Sequence, residues 1–309
     1  MKVCLTGSTG FVGSALARYL QNQGVEVLPV IRHATHNESL TVEKLAADPS
    51  ALSGCAAVLH LASRVHVMHD KAKDPLSAYR EVNVDNTVSL ARAAAAAGVP
   101  RFIFVSSIKV NGESTQAGRP FLFSDTPNPT DPYALSKWEA EQALHRIASE
   151  TGLEVVIIRP PLIYGPGVKA NFASMMRAVQ RRLPLPLGAA TGNRRSLVAL
   201  DNLIDLLVCC INHPAAAGQT FLVSDGEDLS SADLLLRLGV AMKKPARLFS
   251  IPLALIRLAA GCAGKTSMVE RLLGNLQVDI SHTCQTMAWM PPIDVDEGLR
   301  RASEALQKT

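Results

Sequence analysis

Three residues of this sequence combine a proton donor, a cation and a hydroxyl at a spacing that suits chemistry on a carbonyl or an alcohol. Tyr133 and Lys137 are four apart in "YALSK", so on a helix they share one face. A phenol has a reference pKa of about 10 and exchanges protons poorly at neutral pH unless a cation stabilises its phenolate. Lys137 can supply that charge, and Ser107, at the end of "RFIFVSS", can hydrogen-bond a substrate oxygen.

A helix over residues 132–150 is predicted to position the first two of these side chains. Asp131 and Pro132 are an N-cap acid and a ring that fits the first helical turn. The buried stripe of this helix runs through Ala140, Ala143, Leu144 and Ile147, and extends backward to Lys137 and Tyr133. The alternative interpretation is that Tyr133 closes the core and that Lys137 extends its stem along it to reach solvent.

A glycine loop follows the first predicted strand in "TGSTGFVGSALARYL". Gly7, Gly10 and Gly13 allow a tight turn, a close approach of a pyrophosphate to the backbone, and close packing of the next helix. This position between a strand and a helix predicts a dinucleotide site rather than an ordinary glycine-rich turn. The second strand ends in Arg32, at the position where an acid would bind the free 2′-hydroxyl of the adenosine ribose in NAD. An arginine there can pair with the 2′-phosphate of NADP, so the sequence favours NADP over NAD. The alternative interpretation is a solvated arginine, which is common at strand ends.

The alternation of apolar runs and helical patterns predicts the fold class. Short apolar runs rich in β-branched residues ("KVCLTG", "VEVLPVIR", "AAVLHLAS", "RFIFVSS", "EVVIIRP", "TFLVSD") are separated by helical patterns near 11–23, 77–97, 132–150 and 201–212. This order predicts an α/β protein with a doubly wound parallel (Rossmann) sheet. We expect residues 1–165 and 200–225 to form a dinucleotide-binding domain, and residues 166–199 and 226–309 a smaller, mostly helical substrate lobe.

Composition and charge exclude several classes of protein. The 309 residues carry a net charge of +4, and the one local basic cluster, 64–73, does not resemble a nucleic-acid footprint. Six scattered cysteines without metal-like spacing indicate reduced thiols and a cytoplasmic protein, and no signal peptide is recognised at the start of the sequence. The most apolar run, 251–264, is interrupted by Arg257 and is too short to span a bilayer, so we expect a buried helix rather than a membrane-surface contact.

Five motifs in order, "TGSTGFVG", "LHLAS", "FVSS", "YALSK" and "RPPLIYGPG", resemble the extended short-chain dehydrogenase/reductase family, of the NAD-dependent epimerase/dehydratase type that acts on nucleotide sugars. The resemblance implies catalysis by Ser107, Tyr133 and Lys137, and a homodimer through the helices near 77–97 and 132–150. It implies cofactor contacts from Gly7, Gly10, Phe11, Val12, Gly13, Arg32, Leu61, Ala62, Ser63, Asn83, Ser106, Tyr133, Lys137 and Pro160. It implies substrate contacts from Ser107, Asn171 and Arg195. Arg271 is a second candidate cation for a diphosphate, and a solvated surface position is the alternative interpretation for Asn171 and both arginines.

The choice among the reactions of this family depends on the residues after Ser107. Dehydratases carry an Asp-Glu pair there, and this sequence reads Ile108-Lys109, which argues against dehydration. The stretch "SSIKVNGE" has Asn111 where many epimerases have tyrosine. It resembles a subgroup that reduces a UDP-4-keto-6-deoxy-hexosamine towards UDP-N-acetylquinovosamine for polysaccharide biosynthesis.

We therefore expect an NAD(P)-dependent 4-ketoreductase in which Tyr133 donates the proton. The alternatives are a UDP-hexose or UDP-N-acetylhexosamine 4-epimerase with tightly bound NAD, and a non-catalytic regulator that senses dinucleotides. A reductase of steroids or other apolar ketones is disfavoured, because such a substrate has no charge for the predicted substrate arginines to bind.

Overall fold

A computed structural model describes residues 1–32, 40–65, 74–264 and 266–307. The strands are β1 (Lys2–Thr6), β2 (Glu26–Val30), β3 (Cys55–His60), β4 (Arg101–Val105), β5 (Glu154–Arg159), β6 (Leu162–Tyr164), β7 (Pro184–Leu185), β8 (Arg195–Ala199), β9 (Thr220–Leu222), β10 (Asp228–Leu229) and β11 (Arg247–Leu248). The helices are α1 (Phe11–Asn22), α2 (Val42–Ala47), α3 (Pro75–Arg80), α4 (Asn86–Ala96), α5 (Pro132–Thr151), α6 (Ala170–Gln180), α7 (Leu200–Asn212), α8 (Ser231–Ala241), α9 (Leu253–Cys262), α10 (Thr266–Leu273), α11 (Ser281–Met287) and α12 (Val295–Gln307).

The six predicted strands form one parallel sheet in the order β2-β1-β3-β4-β5-β9, which confirms the predicted fold class. Leu16 of α1 and Leu207 of α7 belong to the apolar core on one face, and Leu90 of α4 and Leu144 of α5 to the core on the other. Because both faces are covered, each strand is apolar along its length rather than alternating. The carboxyl ends of the strands therefore meet at one edge, where ligands of such sheets bind.

The helix predicted over 77–97 is present but is not regular. It runs as α3 and α4, joined by one wide π turn at Glu81–Asp85. Such a turn inserts an extra residue into the helix and frequently marks a functional site. Asn83 is the buried residue of this turn.

The second half of the chain contains more strand than the sequence indicates. Beyond the main sheet, β10, β8 and β6 form a three-stranded sheet, and β11 pairs with β7 in parallel. These strands are two to five residues long. Runs that short carry too little periodicity to be distinguished from loops.

The prediction of a buried helix within 251–264 is wrong. The segment does form a helix, α9, but its one fully buried residue is Ala260, and Leu255 and Leu258 are 55% and 66% exposed. The apolar composition of α9 therefore does not reflect packing against the core. Within the described ranges, no helix is long and apolar enough to cross a membrane.

Candidate active site

The turn between β1 and α1 is fixed by glycines that no other residue can replace without a clash. Gly7 has φ +71°, and a Cβ atom there would lie 2.8 Å from the Ala62 backbone nitrogen. A Cβ atom on Gly13 would lie 2.0 Å from the Gly7 oxygen, to which the Gly10 amide donates at 2.9 Å. Steric exclusion at these glycines therefore holds α1 against the end of β1.

The start of α1 is suited to a pyrophosphate. Gly10 is its N-cap without a side-chain cap, and its first turn contains no acid. The backbone amides around Phe11 and Val12 are consequently left for a ligand, and the helix dipole favours an anion there. These residues fit the phosphates of a dinucleotide.

The loop after β3 is tied to the end of β1 by Thr6. Its Oγ1 accepts hydrogen bonds from the amides of Leu61 (3.1 Å) and Ala62 (3.0 Å). Its hydroxyl also bonds the buried His60 ring at 2.7 Å, and burial, assisted by the charge of Lys137, lowers the pKa of His60 to about 3. Sequence analysis missed Thr6 and did not assign a role to His60, because both act through residues that are distant in the sequence.

Asn83 joins this loop to the helix that carries Tyr133. Its Nδ2 donates to the Arg64 oxygen (3.1 Å) and to Ser136 Oγ (2.9 Å), and its Oδ1 accepts from Ser63 Oγ (3.0 Å). The asparagine is buried at 1% exposure, so these bonds satisfy a group that would be costly to leave unpaired. The predicted contact residues Ser63 and Asn83 therefore belong to one network.

Arg32 lies just after β2 and is exposed to solvent. This is the carboxyl edge of the sheet, one strand from the glycine turn that follows β1, since β2 pairs directly with β1. The next residue in the chain, His33, lies outside the described residues, as does 66–73 of the predicted basic cluster.

Helix α5 begins as predicted and carries Tyr133 and Lys137. Asp131 Oδ1 accepts from the Ala134 amide at 2.7 Å, Pro132 occupies the first turn, and Gly152 ends the helix at φ +75°. Lys137 is buried at 1% exposure, where Nζ donates to the Val105 oxygen at 2.8 Å and lies 4.4 Å from the Phe104 ring centre. The interpretation in which this lysine reaches solvent is therefore wrong.

The pKa values of Tyr133 and Lys137 differ from the simple expectation that a charged lysine lowers the pKa of a neighbouring phenol. Burial raises the pKa of Tyr133 to about 12, while hydrogen bonding with Ser107 opposes this rise. Burial lowers the pKa of Lys137 to about 7, while the charge of Glu141 opposes that fall. The protein thus holds a neutral phenol beside Ser107 and a lysine that titrates near neutral pH.

Ser106 and Ser107 face different surroundings. Ser106 is buried and its Oγ donates to Glu141 at 2.5 Å, so its hydroxyl is already engaged within the protein. Ser107 lines the cavity described below, and its Oγ accepts from the Lys109 amide at 3.3 Å. The side chain available to a substrate is that of Ser107.

A buried ion pair lies beneath these serines. Glu141 on α5 accepts from Arg159 at the end of β5, through Nε at 3.0 Å and Nη2 at 2.5 Å, with both side chains no more than 4% exposed. Arg159 Nη1 also donates to Asn111 Oδ1 at 3.0 Å. Sequence analysis missed this network, although Glu141, four residues after Lys137, is a charge on the same helix face.

One cavity of about 600 Å³ brings together the predicted catalytic and substrate residues. Its wall contains Ser107 and Tyr133, together with Asn171 of α6, Arg195 of β8 and Arg271 of α10. Pro160, predicted beside the cofactor, also lies on this wall. Most of the remaining lining is aliphatic: Val65, Ile108, Pro161, Leu162, Met175, Ala178, Leu185, Leu187, Leu197, Leu229, Leu234, Leu235, Leu272 and Leu276.

The two arginines give the cavity its positive charge. Burial lowers the pKa of Arg195, the neighbouring charge of Arg271 lowers it further, and Glu113 opposes both. Arg195 Nη1 has one protein partner at 3.2 Å, the Gly274 oxygen. A guanidinium presents five N–H donors, so Arg195 retains donors for an anionic ligand.

Carboxylates approach this cavity from positions that the sequence did not indicate. Lys109 Nζ donates to Glu113 at 2.6 Å and to Asp131 at 2.5 Å, and Lys109 and Glu113 both line the cavity. Pairing with Lys109 partly neutralises this acidic charge. It also engages Glu113 and Asp131, which leaves them poorly suited to the acid and base roles of a dehydratase.

Comparison with known proteins gives a consistent classification. Residues 3–224 match the model of the NAD dependent epimerase/dehydratase family. The chain is 48% identical to a UDP-glucose 4-epimerase from Vibrio cholerae over 310 residues, which cover 98% of this chain and 94% of that protein. It is 29% identical to a 2-alkyl-3-oxoalkanoate reductase from Stenotrophomonas maltophilia over 97% of this chain and 98% of that protein.

A solved structure supports the fold. The UDP-glucuronic acid 4-epimerase from Bacillus cereus in complex with NAD superposes with a TM-score of 0.78 and 20% identity, covering 100% of this chain and 97% of that one. The fold, the family match and the extent of identity agree. This chain belongs to the NAD-dependent epimerase/dehydratase family.

Proposed function

We propose that this protein is an NAD-dependent 4-epimerase of a UDP-linked hexose or N-acetylhexosamine. The observation that carries the proposal is that one cavity is lined by Ser107 and Tyr133 and also by Arg195 and Arg271. A nucleotide sugar needs a proton-transfer group at its sugar and cations at its diphosphate, and one cavity provides both. The 48% identity to a UDP-glucose 4-epimerase over nearly the whole chain supports the epimerase over the reductase that the sequence favoured.

In this proposal, one part of the chain binds the cofactor and another part binds the substrate. Residues 1–165 and 200–225 hold the dinucleotide, and residues 166–199 and 226–309 hold the substrate. The glycine turn binds the pyrophosphate through backbone amides at the start of α1. A nicotinamide dinucleotide, when bound, supplies the hydride chemistry at C4 of the sugar.

The chain's own residues handle the proton. Tyr133 exchanges a proton with the C4 oxygen, and Ser107 hydrogen-bonds that oxygen and the phenol. Because burial keeps the phenol neutral, proton removal from a sugar hydroxyl requires positive charge nearby. Lys137, on the same face of α5, is the cation that the chain provides, and its buried amine also suits the ribose hydroxyls of the cofactor.

The opposite end of the substrate binds through charge. Arg195 and Arg271 pair with the diphosphate, and Asn171, in the first turn of α6, donates to it from its side chain or backbone. Aliphatic residues such as Leu187 and Leu234 cover the nucleoside and exclude water. An apolar ketone is a poorer fit, because it offers no charge for Arg195 and Arg271 to bind.

A second candidate is the NADP-dependent reduction of a UDP-4-keto-6-deoxy-hexosamine. Exposed Arg32 after β2 favours it, since an arginine there can pair with a 2′-phosphate and a carboxylate would repel it. Position 111 also departs from the epimerase pattern, because many epimerases have a tyrosine there. In this chain the residue is Asn111, whose Oδ1 accepts a hydrogen bond from Arg159.

The test is to incubate the protein with UDP-glucose and NAD, and separately with a UDP-4-keto-6-deoxy-hexosamine and NADPH. An epimerase forms UDP-galactose with no net change in nicotinamide absorbance, whereas a reductase consumes NADPH only with the keto sugar. The expected homodimer is checked on the same preparation by light scattering.

A further inference from the structure

The exposed helix α9 presents an apolar stripe to solvent. Leu255, Leu258, Ala259 and Cys262 are all exposed and follow the i, i+3, i+4, i+7 spacing of one helix face. In a globular protein this spacing normally marks the face that packs on the core. Here the core side is occupied by Ala260, and the stripe faces outward.

Two stretches of the chain, one of which contains α9, carry basic residues and no acidic ones. Residues 155–200 contain no Asp or Glu, and neither do residues 234–269. Five exposed cations within these stretches make no ion pair with a carboxylate of the described residues: Arg181, Arg182, Lys243, Lys244 and Arg247. The modest net charge of the whole chain, +4, therefore conceals a local concentration of positive charge.

The two basic stretches lie side by side. Strands β7 and β11 pair Pro184 with Arg247, and Lys244 Nζ donates to the Gln180 oxygen at 3.3 Å. The same stretches expose Leu183 at 47% and Phe249 at 45%. We call the surface formed by residues 181–183, 243–249 and the outer face of α9 the basic apolar surface.

We propose that the basic apolar surface docks on an anionic lipid bilayer. A bilayer surface offers what this surface lacks, namely acyl chains for the exposed leucines and negative headgroups for the unpaired cations. At ten residues, α9 is too short to span a membrane, and its length and stripe suit a helix that lies in the plane of the interface. A protein partner with one acidic apolar groove is the less economical occupant, because the cations extend beyond the helix onto two further segments.

Docking would bring the cavity close to the membrane. Helix α10, which carries Arg271, packs against α9, and Glu270 pairs with Arg257 at 3.1 Å. Leu185, which follows the basic stretch on β7, lines the cavity. Elements that line the cavity, α10 and β7, are thus in contact with or continuous with the basic apolar surface.

The test is sedimentation of the full-length protein with phosphatidylcholine vesicles that contain or lack phosphatidylglycerol, at low and high salt. We expect binding to the anionic vesicles only, and release by salt. The double variant Leu255→Gln, Leu258→Gln and the double variant Lys243→Glu, Lys244→Glu are each expected to lower the partition coefficient about tenfold or more. Met290→Gln, which changes a 78% exposed methionine elsewhere, is the matched control and is expected to bind like the parent.

All four side chains are exposed, so thermal unfolding should show that both double variants fold. The proposal is overturned if the parent ignores anionic vesicles, if it binds neutral vesicles equally well, or if both double variants bind as the parent does. It is also overturned if the parent binds no vesicles and light scattering shows an oligomer that the Leu255→Gln, Leu258→Gln variant no longer forms. The surface would then be an interface with a second copy of this chain. Epimerase activity is measured separately and does not affect any of these outcomes.

Discussion

The glycine turn after β1 and the wall of the large cavity are shaped by different means. At the turn, backbone atoms meet backbone atoms, and an added methyl on Gly13 would lie 2.0 Å from the Gly7 oxygen. Around the cavity, the wall is mostly the ends of aliphatic side chains from several separate elements. Backbone shape tolerates almost no substitution, whereas a wall of side chains can be changed residue by residue.

This difference explains how such a protein can retain its cofactor while its substrate changes. The proposed pyrophosphate site depends on steric exclusion and helix amides, which are the same in any chain that keeps the glycines. In the proposal, substrate choice depends on cavity side chains such as Leu234 and Arg271, which the fold does not require. Tyr133 lies between the two regions, since α5 packs on the sheet and its first turn faces the cavity.

The largest effect is expected where the two regions meet. Tyr133→Phe should lower kcat about 10³-fold because the proton shuttle is removed, while the affinities for NAD and UDP-sugar change little. Steady-state kinetics and calorimetric titration measure the two effects on one preparation. A variant that retains kcat would exclude Tyr133 from the chemistry, and a parent protein that binds NAD without any turnover would favour a non-catalytic dinucleotide sensor.

Gly13→Ala is expected to disrupt the glycine turn between β1 and α1. The new methyl must displace the Gly7 backbone, so we expect a loss of about 3 kcal/mol in the free energy of unfolding and no measurable NAD binding. Gly192→Ala, in the loop before Arg195, is the control, since its Cβ would meet no atom within 4 Å. Equal urea-unfolding curves for the two variants would contradict the steric account.

Arg195→Met should sharpen the contrast by damaging only substrate binding. Loss of a charge-assisted contact to the diphosphate should raise KM for the UDP-sugar about tenfold to a hundredfold, and NAD affinity should stay unchanged. Arg194→Met is the matched control, because that exposed neighbour bonds the Thr191 and Asn193 oxygens and lies outside the cavity lining. If Arg194→Met had the larger effect on KM, the assignment of the diphosphate site would be wrong.

The smallest effect concerns the pH dependence of stability at Lys137. Burial lowers its pKa from 10.5 to about 7, so between these values the unfolded chain binds more protons than the folded one. The free energy of unfolding of the parent, relative to Lys137→Met, should therefore rise by about 1 kcal/mol between pH 7 and pH 8. Below pH 7 the difference should be constant and at its lowest. Urea unfolding of both proteins at several pH values measures this difference. If the difference in the free energy of unfolding did not change with pH, the pKa of Lys137 would not be lowered in the folded protein.

The regular half of the fold was predictable because local signals agree with tertiary structure there. The cap at Asp131 and Pro132 and the continuously apolar strands each point to the element that forms. The cavity residues Ser107, Asn171 and Arg195 were named with the help of family resemblance and Arg271 as a further cation, and the structure brings all four to one cavity. Their roles remain predictions.

Other features depend on contacts that no local pattern contains. Lys109 meets Asp131 across 22 positions in the chain, and Arg159 meets Asn111 across 48. Helix α9 was assigned to the core because it lies in the most apolar run of the sequence, which is too short to span a bilayer. The sequence does not show that the described part of the chain leaves the apolar stripe of α9 uncovered. Periodicity predicts which face of a helix is apolar, and packing alone decides whether that face is covered.

The most direct test of the proposed epimerisation uses UDP-glucose that carries deuterium at C4, incubated with the protein and NAD. The account predicts UDP-galactose that retains deuterium at C4, with no net rise in reduced nicotinamide, because hydride leaves and returns within one site. Deuterium recovered in free reduced cofactor, with a keto sugar accumulating in equal amount, would contradict it.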